Sequence, residues 1–241
     1  MRGSSACTRR SLSEGGTASR RDRMLLRRRR RLVLALCAHL VIGFGGTIWW
    51  REGGKRLFFP RKWAEVEPGL YRSGQIHRRL IEDVLREHRI ELVVDLAPDE
   101  EGDLDNAAER EVTARLGIPV LSLSLGGDGS GDPQDYVGAL TTAVEAHRQG
   151  KHVLVHCEAG SERTGAFFLL YRTLVQGWSP ADAIAEYPSF RNRPIKRGSS
   201  TRYLDAHMAE IASGLVASGA LGALPDPLPS FAPAVAAAAE P

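Results

Sequence analysis

Apolar positions along the chain group into one long uninterrupted stretch and a series of short, periodic ones. Residues 32–50 contain no Asp, Glu, Lys or Arg. A helix of 19 residues rises about 28 Å, close to the hydrocarbon thickness of a bilayer, so this stretch predicts a single membrane-spanning helix. Trp49 and Trp50 close it, as an interfacial aromatic belt would. Further on, residues 63–74 form an extended opening element broken at Pro68-Gly69. Within residues 79–88, Leu80, Ile81, Val84 and Leu85 recur at helical spacing. Residues 90–96 are nearly continuous in apolar side chains, which suits a strand buried on both faces. Helix over 105–116, strand over 118–123, helix to about Arg148, strand over 153–155 and helix over 164–176 follow. Shorter helices over 181–187 and 201–213 complete the pattern. Such alternation predicts an α/β domain with a central, mostly parallel sheet flanked by helices.

These stretches imply an organisation in five parts. Residues 1–31 form a basic, disordered tail, 32–50 the transmembrane helix, 51–62 a linker, 63–214 the folded domain, and 215–241 an Ala/Pro-rich disordered tail. No internal repeat interrupts this order.

Charge is divided along the same lines. Residues 1–62 hold 16 Lys and Arg against three acids, whereas the whole chain holds 32 against 29. The folded domain is therefore net acidic, and the high isoelectric point gives no reason to expect nucleic acid as a partner. Five consecutive arginines, Arg27 to Arg31, precede the apolar stretch. They are more densely packed than the five basic residues spread over positions 51–62 after it, so the positive-inside rule expects a cytoplasmic N-terminus and a single-pass membrane protein. A reducing cytoplasm would better protect a free thiol, which argues for the opposite orientation. Of the three cysteines, only Cys157 falls in the folded domain, so a disulfide framework is excluded there.

Cys157 lies in the most informative stretch of the chain. After the strand at 153–155 comes His156-Cys157-Glu158-Ala159-Gly160-Ser161-Glu162-Arg163-Thr164-Gly165, and then the apolar helix. A tight loop between a strand and a helix N-terminus converges backbone N–H groups and a positive dipole end, the elements of an anion cradle. The cradle residues are Glu158, Ala159, Gly160, Ser161, Glu162 and Arg163. The same field favours a thiolate at Cys157, while the planar fork of Arg163 suits two phosphoryl oxygens. The chemistry expected is attack of sulfur on phosphorus, then hydrolysis of the cysteinyl phosphate. Thr164 is placed to donate a hydrogen bond to the departing sulfur, and Gly160 and Gly165 to let the loop turn and approach its ligand.

The string His156-Cys157, five residues, Arg163-Thr164-Gly165 resembles the signature of the cysteine-dependent protein tyrosine and dual-specificity phosphatases. Gly69 to Gln75, Gly-Leu-Tyr-Arg-Ser-Gly-Gln, resembles the opening of atypical, bacterial members. The resemblance covers about residues 63–210 and implies a dual-specificity phosphatase-like fold and a phosphoric monoester hydrolase that needs no cofactor or metal. It implies that His156 supports the loop through hydrogen bonds to backbone, and that Glu186 braces the catalytic region. Arg72 either stands behind the loop as an ion-pair partner or contacts substrate. The family also requires a general acid on a mobile loop about thirty residues before the cysteine. Asp128 and Asp132 both lie near that distance, on a segment with four glycines. Asp132 precedes Pro133 and suits a helix N-cap, which leaves Asp128 as the candidate acid.

The function expected is a membrane-anchored phosphatase acting on phosphotyrosine, phosphoserine/threonine or a small phosphoester. The alternatives are a lipid phosphate as substrate, or a non-catalytic phosphate-binding pseudophosphatase. Glu158 and Glu162 in the loop argue against inositol polyphosphates.

Overall fold

The computed structural model describes residues 54–187 and 199–237, with isolated positions Arg28, Leu32, Leu34, Leu36, His39 and Thr47. The basic tail and nearly all of the expected transmembrane stretch lie outside the described residues. Arg28 of the tail and the five described positions of the stretch are helical, and among the described residues no helix is long and apolar enough to cross a membrane. Residues 1–53 and 54–241 are separate compact units.

The second unit is built on a five-stranded sheet in the order β1-β2-β5-β3-β4. β1 (Ala64–Glu67) and β2 (Leu70–Gly74) form the antiparallel hairpin. Its turn is the Pro68-Gly69 break, where Gly69 takes φ +84°. β3 (Ile90–Asp95), β4 (Val120–Ser122) and β5 (His152–Cys157) run parallel to β2. The mostly parallel sheet expected from the alternation of elements is present.

Helices cover both faces, and the pleat explains which side chains go where. Leu92 and Val94 of β3 and Val153 and Val155 of β5 join one core cluster. That cluster includes residues of α3 (Pro133–Arg148), α4 (Glu162–Leu170) and α6 (Ser199–Ser218). Val93 and Leu154, one position out of phase, join a second cluster with residues of α1 (Ile81–Glu87) and α2 (Leu104–Leu116). Period-two alternation thus divides a continuous apolar strand between two helical layers. Both clusters lie wholly within the second unit, which carries its own core.

Local signals set the helix ends. Asp103 caps α2 through the N–H groups of Asp105 and Asn106, and Gly117 ends it in the left-handed region at φ +69°. Asp132 caps α3 through Gln134 N–H, with Pro133 in the first turn. α4 continues into a single π-helical turn at Tyr171–Val175. Ser179 caps α5 (Pro180–Glu186).

Both domain boundaries expected from composition need correction. Residues 54–62 belong to the folded unit and begin with a 3₁₀ turn at Gly54–Leu57. The C-terminal segment from 215 to 237 is folded rather than part of a disordered tail. α6 runs to Ser218, Phe231 is fully buried, and a last helix, α7, spans Ala232–Ala237. The Asp205 carboxylate accepts from Phe231 N–H at 2.7 Å and Ala232 N–H at 2.9 Å. Arg148 donates to the carbonyls of Gly219 and Ala220. Alanine- and proline-rich composition hid this packing because one aromatic anchor and a few backbone hydrogen bonds carry it.

Candidate active site

The carboxyl ends of three adjacent strands meet at one edge of the sheet. Gly74 ends β2 opposite Cys157 of β5, and Asp95 ends β3 opposite His156. Parallel sheets bind ligands at this edge, and the chain leaves β5 there into the loop 158–161 and then α4. Cys157 is 1% exposed, on the floor of the loop, and its Sγ accepts from Gly160 N–H at 3.3 Å.

The loop is held from behind by its carbonyls. The Glu158 carbonyl accepts from Gln75 N–H at 3.0 Å, and the Gly160 carbonyl from Arg72 Nη2 at 3.3 Å. In a planar trans peptide the next residue's N–H points opposite to the carbonyl. The N–H groups of Ala159 and Ser161 are thereby turned away from β2 and Arg72. Arg72 is buried, stacks on Phe168 at 5.1 Å, and has its pKa lowered to about 10, chiefly by burial. Of the two roles open to it, the structure places it behind the loop, gripping backbone.

The two signature glycines have different tasks. Gly160 sits at φ +64°, and a Cβ there would fall 2.5 Å from Gly74 N and 2.7 Å from the Ser73 carbonyl. It permits both the turn and the close approach to β2. Gly165, expected to help the loop approach its ligand, instead lies within α4. A Cβ on it would meet Tyr187 Cε2 at 1.9 Å. Tyr187 is buried and its hydroxyl donates to Glu162 at 3.3 Å. Gly165→Ala is therefore expected to force Tyr187 aside and cost about 1–3 kcal/mol, as overpacked cores do. Urea unfolding of the variant checks this; a loss below about 0.5 kcal/mol would show that Tyr187 swings away freely.

Arg163 is 6% exposed and donates from Nη2 to Glu158 Oε2 at 3.2 Å. An entering phosphoryl group competes with that carboxylate for the guanidinium. Thr164 is fully buried, with no hydrogen-bond partner on its Oγ1 among the described residues. A hydroxyl beside Arg163 with its proton uncommitted is suited to donate toward sulfur.

Beneath the loop lies an ionic trio that sequence reasoning missed. His156, fully buried, places Nε2 3.1 Å from Glu109 Oε1 and Nδ1 3.6 Å from Asp95 Oδ1. The ring thus faces two carboxylates rather than the backbone partners that the resemblance implied. Burial by itself disfavours the imidazolium, but the charges of Glu109 and Asp95, the hydrogen bond to Glu109 and the nearby Cys157 outweigh it and raise the pKa to about 10. Asp95 is raised above the usual carboxylate range, chiefly by burial. The facing atoms of the three side chains lie within 4.8 Å of one another, and the ring proton supplies the positive charge between the carboxylates. An acid ending a strand buried at every position but Glu91 was the available signal for Asp95. Glu109, on a polar helix, carried none.

The acid candidates separate as their local chemistry suggests. Asp132 is committed to the α3 cap. Asp128 is exposed and accepts from both the hydroxyl (2.6 Å) and the N–H (3.0 Å) of Ser130, which holds its pKa below the usual carboxylate value. Its loop is close to α4: a Cβ on Gly129 would lie 3.5 Å from Ala166 Cβ and from the Glu162 carbonyl. Glu186, expected to brace the catalytic region, makes two hydrogen bonds to Arg172, which lies over the Trp178 ring at 4.2 Å.

Two cations at the loop come from the linker. The Lys62 ammonium contacts Ser161 Oγ, and the Arg61 carbonyl accepts from Gly74 N–H at 2.7 Å. Arg61 is lowered in pKa, first by burial, while Glu158 and Cys157 act in the opposite sense. A basic linker beside an apolar stretch gave no hint that it folds back to the loop.

No family model matches the chain. It is 31% identical over 121 residues to the dual specificity protein phosphatase TpbA of Pseudomonas aeruginosa, an alignment covering 50% of each protein. It is 29% identical over 114 residues to the RNA/RNP complex-1-interacting phosphatase homolog of Caenorhabditis elegans, covering 45% of this chain and 47% of that protein. The chain spans about half the length of the curated relatives it matches. Among solved structures, the P. aeruginosa TpbA crystal structure aligns with a TM-score of 0.52 at 27% identity, covering 66% of this chain and 91% of that one. The core catalytic domain of the PP-IP phosphatase Siw14 from S. cerevisiae aligns with a TM-score of 0.55 at 19% identity, covering 66% and 93%, a likeness of fold alone.

Proposed function

We propose that this chain, a relative of the cysteine-dependent dual-specificity and tyrosine phosphatases, hydrolyses phosphate monoesters through a cysteinyl-phosphate intermediate. One observation carries the reading: Cys157 lies on the floor of a loop whose carbonyls are pinned backward, with the buried Arg163 held at its rim by Glu158. The Cys157 sulfur attacks phosphorus, the bond to the leaving oxygen breaks, and that oxygen takes a proton from Asp128. Water then attacks the phosphorus, the P–S bond breaks, and Asp128 takes the water proton as inorganic phosphate leaves. Loop amides from Glu158 to Arg163 and the Arg163 fork bind the equatorial oxygens, Thr164 assists the departing thiolate, and His156 supports the loop from below. The substrate class we favour is a phosphorylated protein, with a small or lipid phosphoester as the alternative. We further propose that residues 32–50 anchor the domain to a membrane with the N-terminus cytoplasmic, on the strength of their length and the arginines before them.

Asp128 acts only after its loop closes and its carboxyl leaves Ser130, because a carboxylate held at low pKa is a poor proton donor. Asp128→Asn is expected to reduce turnover of a phosphoester with a poor leaving group by about 10²- to 10⁴-fold, while p-nitrophenyl phosphate, whose leaving group needs little protonation, is much less affected. The wild-type rate on the poor leaving group should also decline as pH rises, since the protonated fraction of Asp128 declines. Steady-state kinetics of the full chain in detergent, with reductant and no added metal, measures both. An unaffected Asp128→Asn moves the role to Asp132. Absence of turnover in the reduced wild type overturns the enzymatic reading in favour of a phosphate-binding module.

A further inference from the structure

The segment that brings Arg61 and Lys62 to the loop also carries two adjacent phenylalanines. Residues 53–64 contain Lys55, Arg56, Arg61 and Lys62 and no acid. Between the cations stand Phe58 and Phe59, 57% and 62% exposed although aromatic. The N–H groups of both phenylalanines bond to the Lys55 carbonyl at 3.1 and 2.9 Å, which closes them into one tight turn. Three residues later, Lys62 touches Ser161 of the catalytic loop. Arg61 and Lys62 therefore lie at the lip of the candidate active site, two and three residues along the chain from the aromatic pair.

Aromatic rings beside clustered cations are what an interfacial membrane contact requires. The rings enter the headgroup region, and the cations meet lipid phosphates. Charge complementarity selects the occupant. The chain beyond residue 62 is net acidic, so an anionic surface repels most of the domain and attracts this edge. Of the acids of the loop, Glu158 is paired with Arg163 and lies near Arg61, which offsets its charge at this edge.

We propose that residues 55–62 form a docking edge that seats the mouth of the catalytic loop on an anionic bilayer surface. The docking stands independently of the spanning helix at 32–50. Its consequence, that the phosphoester hydrolysed is one presented at that surface, rests on the phosphatase reading above.

The test uses residues 54–241, which carry both core clusters and exclude the spanning stretch. Co-sedimentation is measured with phosphatidylcholine vesicles, with or without one quarter phosphatidylglycerol. The expected result is binding to the anionic vesicles only, weakened at least tenfold between roughly 50 and 500 mM salt as the charges are screened. Phe58→Ser/Phe59→Ser should weaken it about tenfold or more, leaving p-nitrophenyl phosphate turnover within about twofold. Lys55→Glu/Arg56→Glu should weaken it further, since each cation near such a surface strengthens binding about fivefold. Equal binding to both vesicle types, or binding unchanged in both double variants, overturns the proposal. So does a dimer in sedimentation that the phenylalanine variant dissolves, because a second copy would then be the occupant. Vesicle binding by a protein that does not hydrolyse p-nitrophenyl phosphate keeps the docking edge and removes the phosphatase reading; turnover without vesicle binding does the reverse.

Discussion

Cys157→Ser is expected to lower p-nitrophenyl phosphate turnover by on the order of 10³-fold or more, the scale seen when a covalent nucleophile is removed. A hydroxyl is un-ionised at neutral pH, so the nucleophile is lost while its position is kept. The substitution is nearly isosteric at a site 1% exposed, and Gly160 N–H can donate to oxygen as it does to sulfur. The fold and the anion cradle should both survive. Protection by inorganic phosphate against thermal unfolding should therefore persist in the variant, raising its midpoint as it raises that of the wild type. Residual turnover within tenfold of wild type would sink Cys157 as nucleophile. Loss of phosphate protection along with turnover would mean that the substitution damages the cradle, and the kinetic result would no longer identify the attacking atom.

The second large effect is on stability. Glu109→Ala should cost about 3–5 kcal/mol, because breaking a buried ion pair leaves its partner uncompensated. His156 would keep only Asp95, at 3.6 Å rather than the 3.1 Å of the Glu109 contact. The sign of the pH dependence follows from the raised imidazole. Its contribution is fully present below the unfolded pKa near 6.5 and is lost as pH rises through about 10. Asp95, also raised in the fold, contributes in the same direction from a lower pH. Wild-type stability should thus decline from about pH 6.5 to 10, and in Glu109→Ala this decline should be smaller and end at lower pH, since the charge that raises the imidazole most is gone. Urea denaturation of residues 54–241 across that range provides both numbers. A variant within about 0.5 kcal/mol of wild type, with an unchanged pH slope, would show that the trio does not hold the imidazolium.

The parts legible in the sequence are those encoded locally. Apolar residues at 90–96 and 153–155 suffice for buried strands, because a continuous run must be covered on both faces. Asp132-Pro133 marks the start of α3, because a cap and its first turn involve neighbouring residues only. The spacing of Cys157 and Arg163 identifies the loop for the same reason: one strand end, one turn and one helix start bring the two together. The residues that surround the loop obey no such rule. Gln75 and Arg72 hold its carbonyls because β2 lies beside β5, although about 80 positions separate them. Glu109 reaches His156 from a helix whose pattern looked only polar, and Lys62 reaches Ser161 from a linker that composition assigned to no fold. Gly165 reads in the sequence as a residue that lets the loop approach its ligand, whereas packing sets Tyr187 against it. The meeting of Cys157 and Arg163 on one loop was determined by the sequence alone; what braces them, what charge sits beneath them and what lines their mouth were decided by strand order and helix packing, because long-range contacts leave no periodic trace in the chain that makes them.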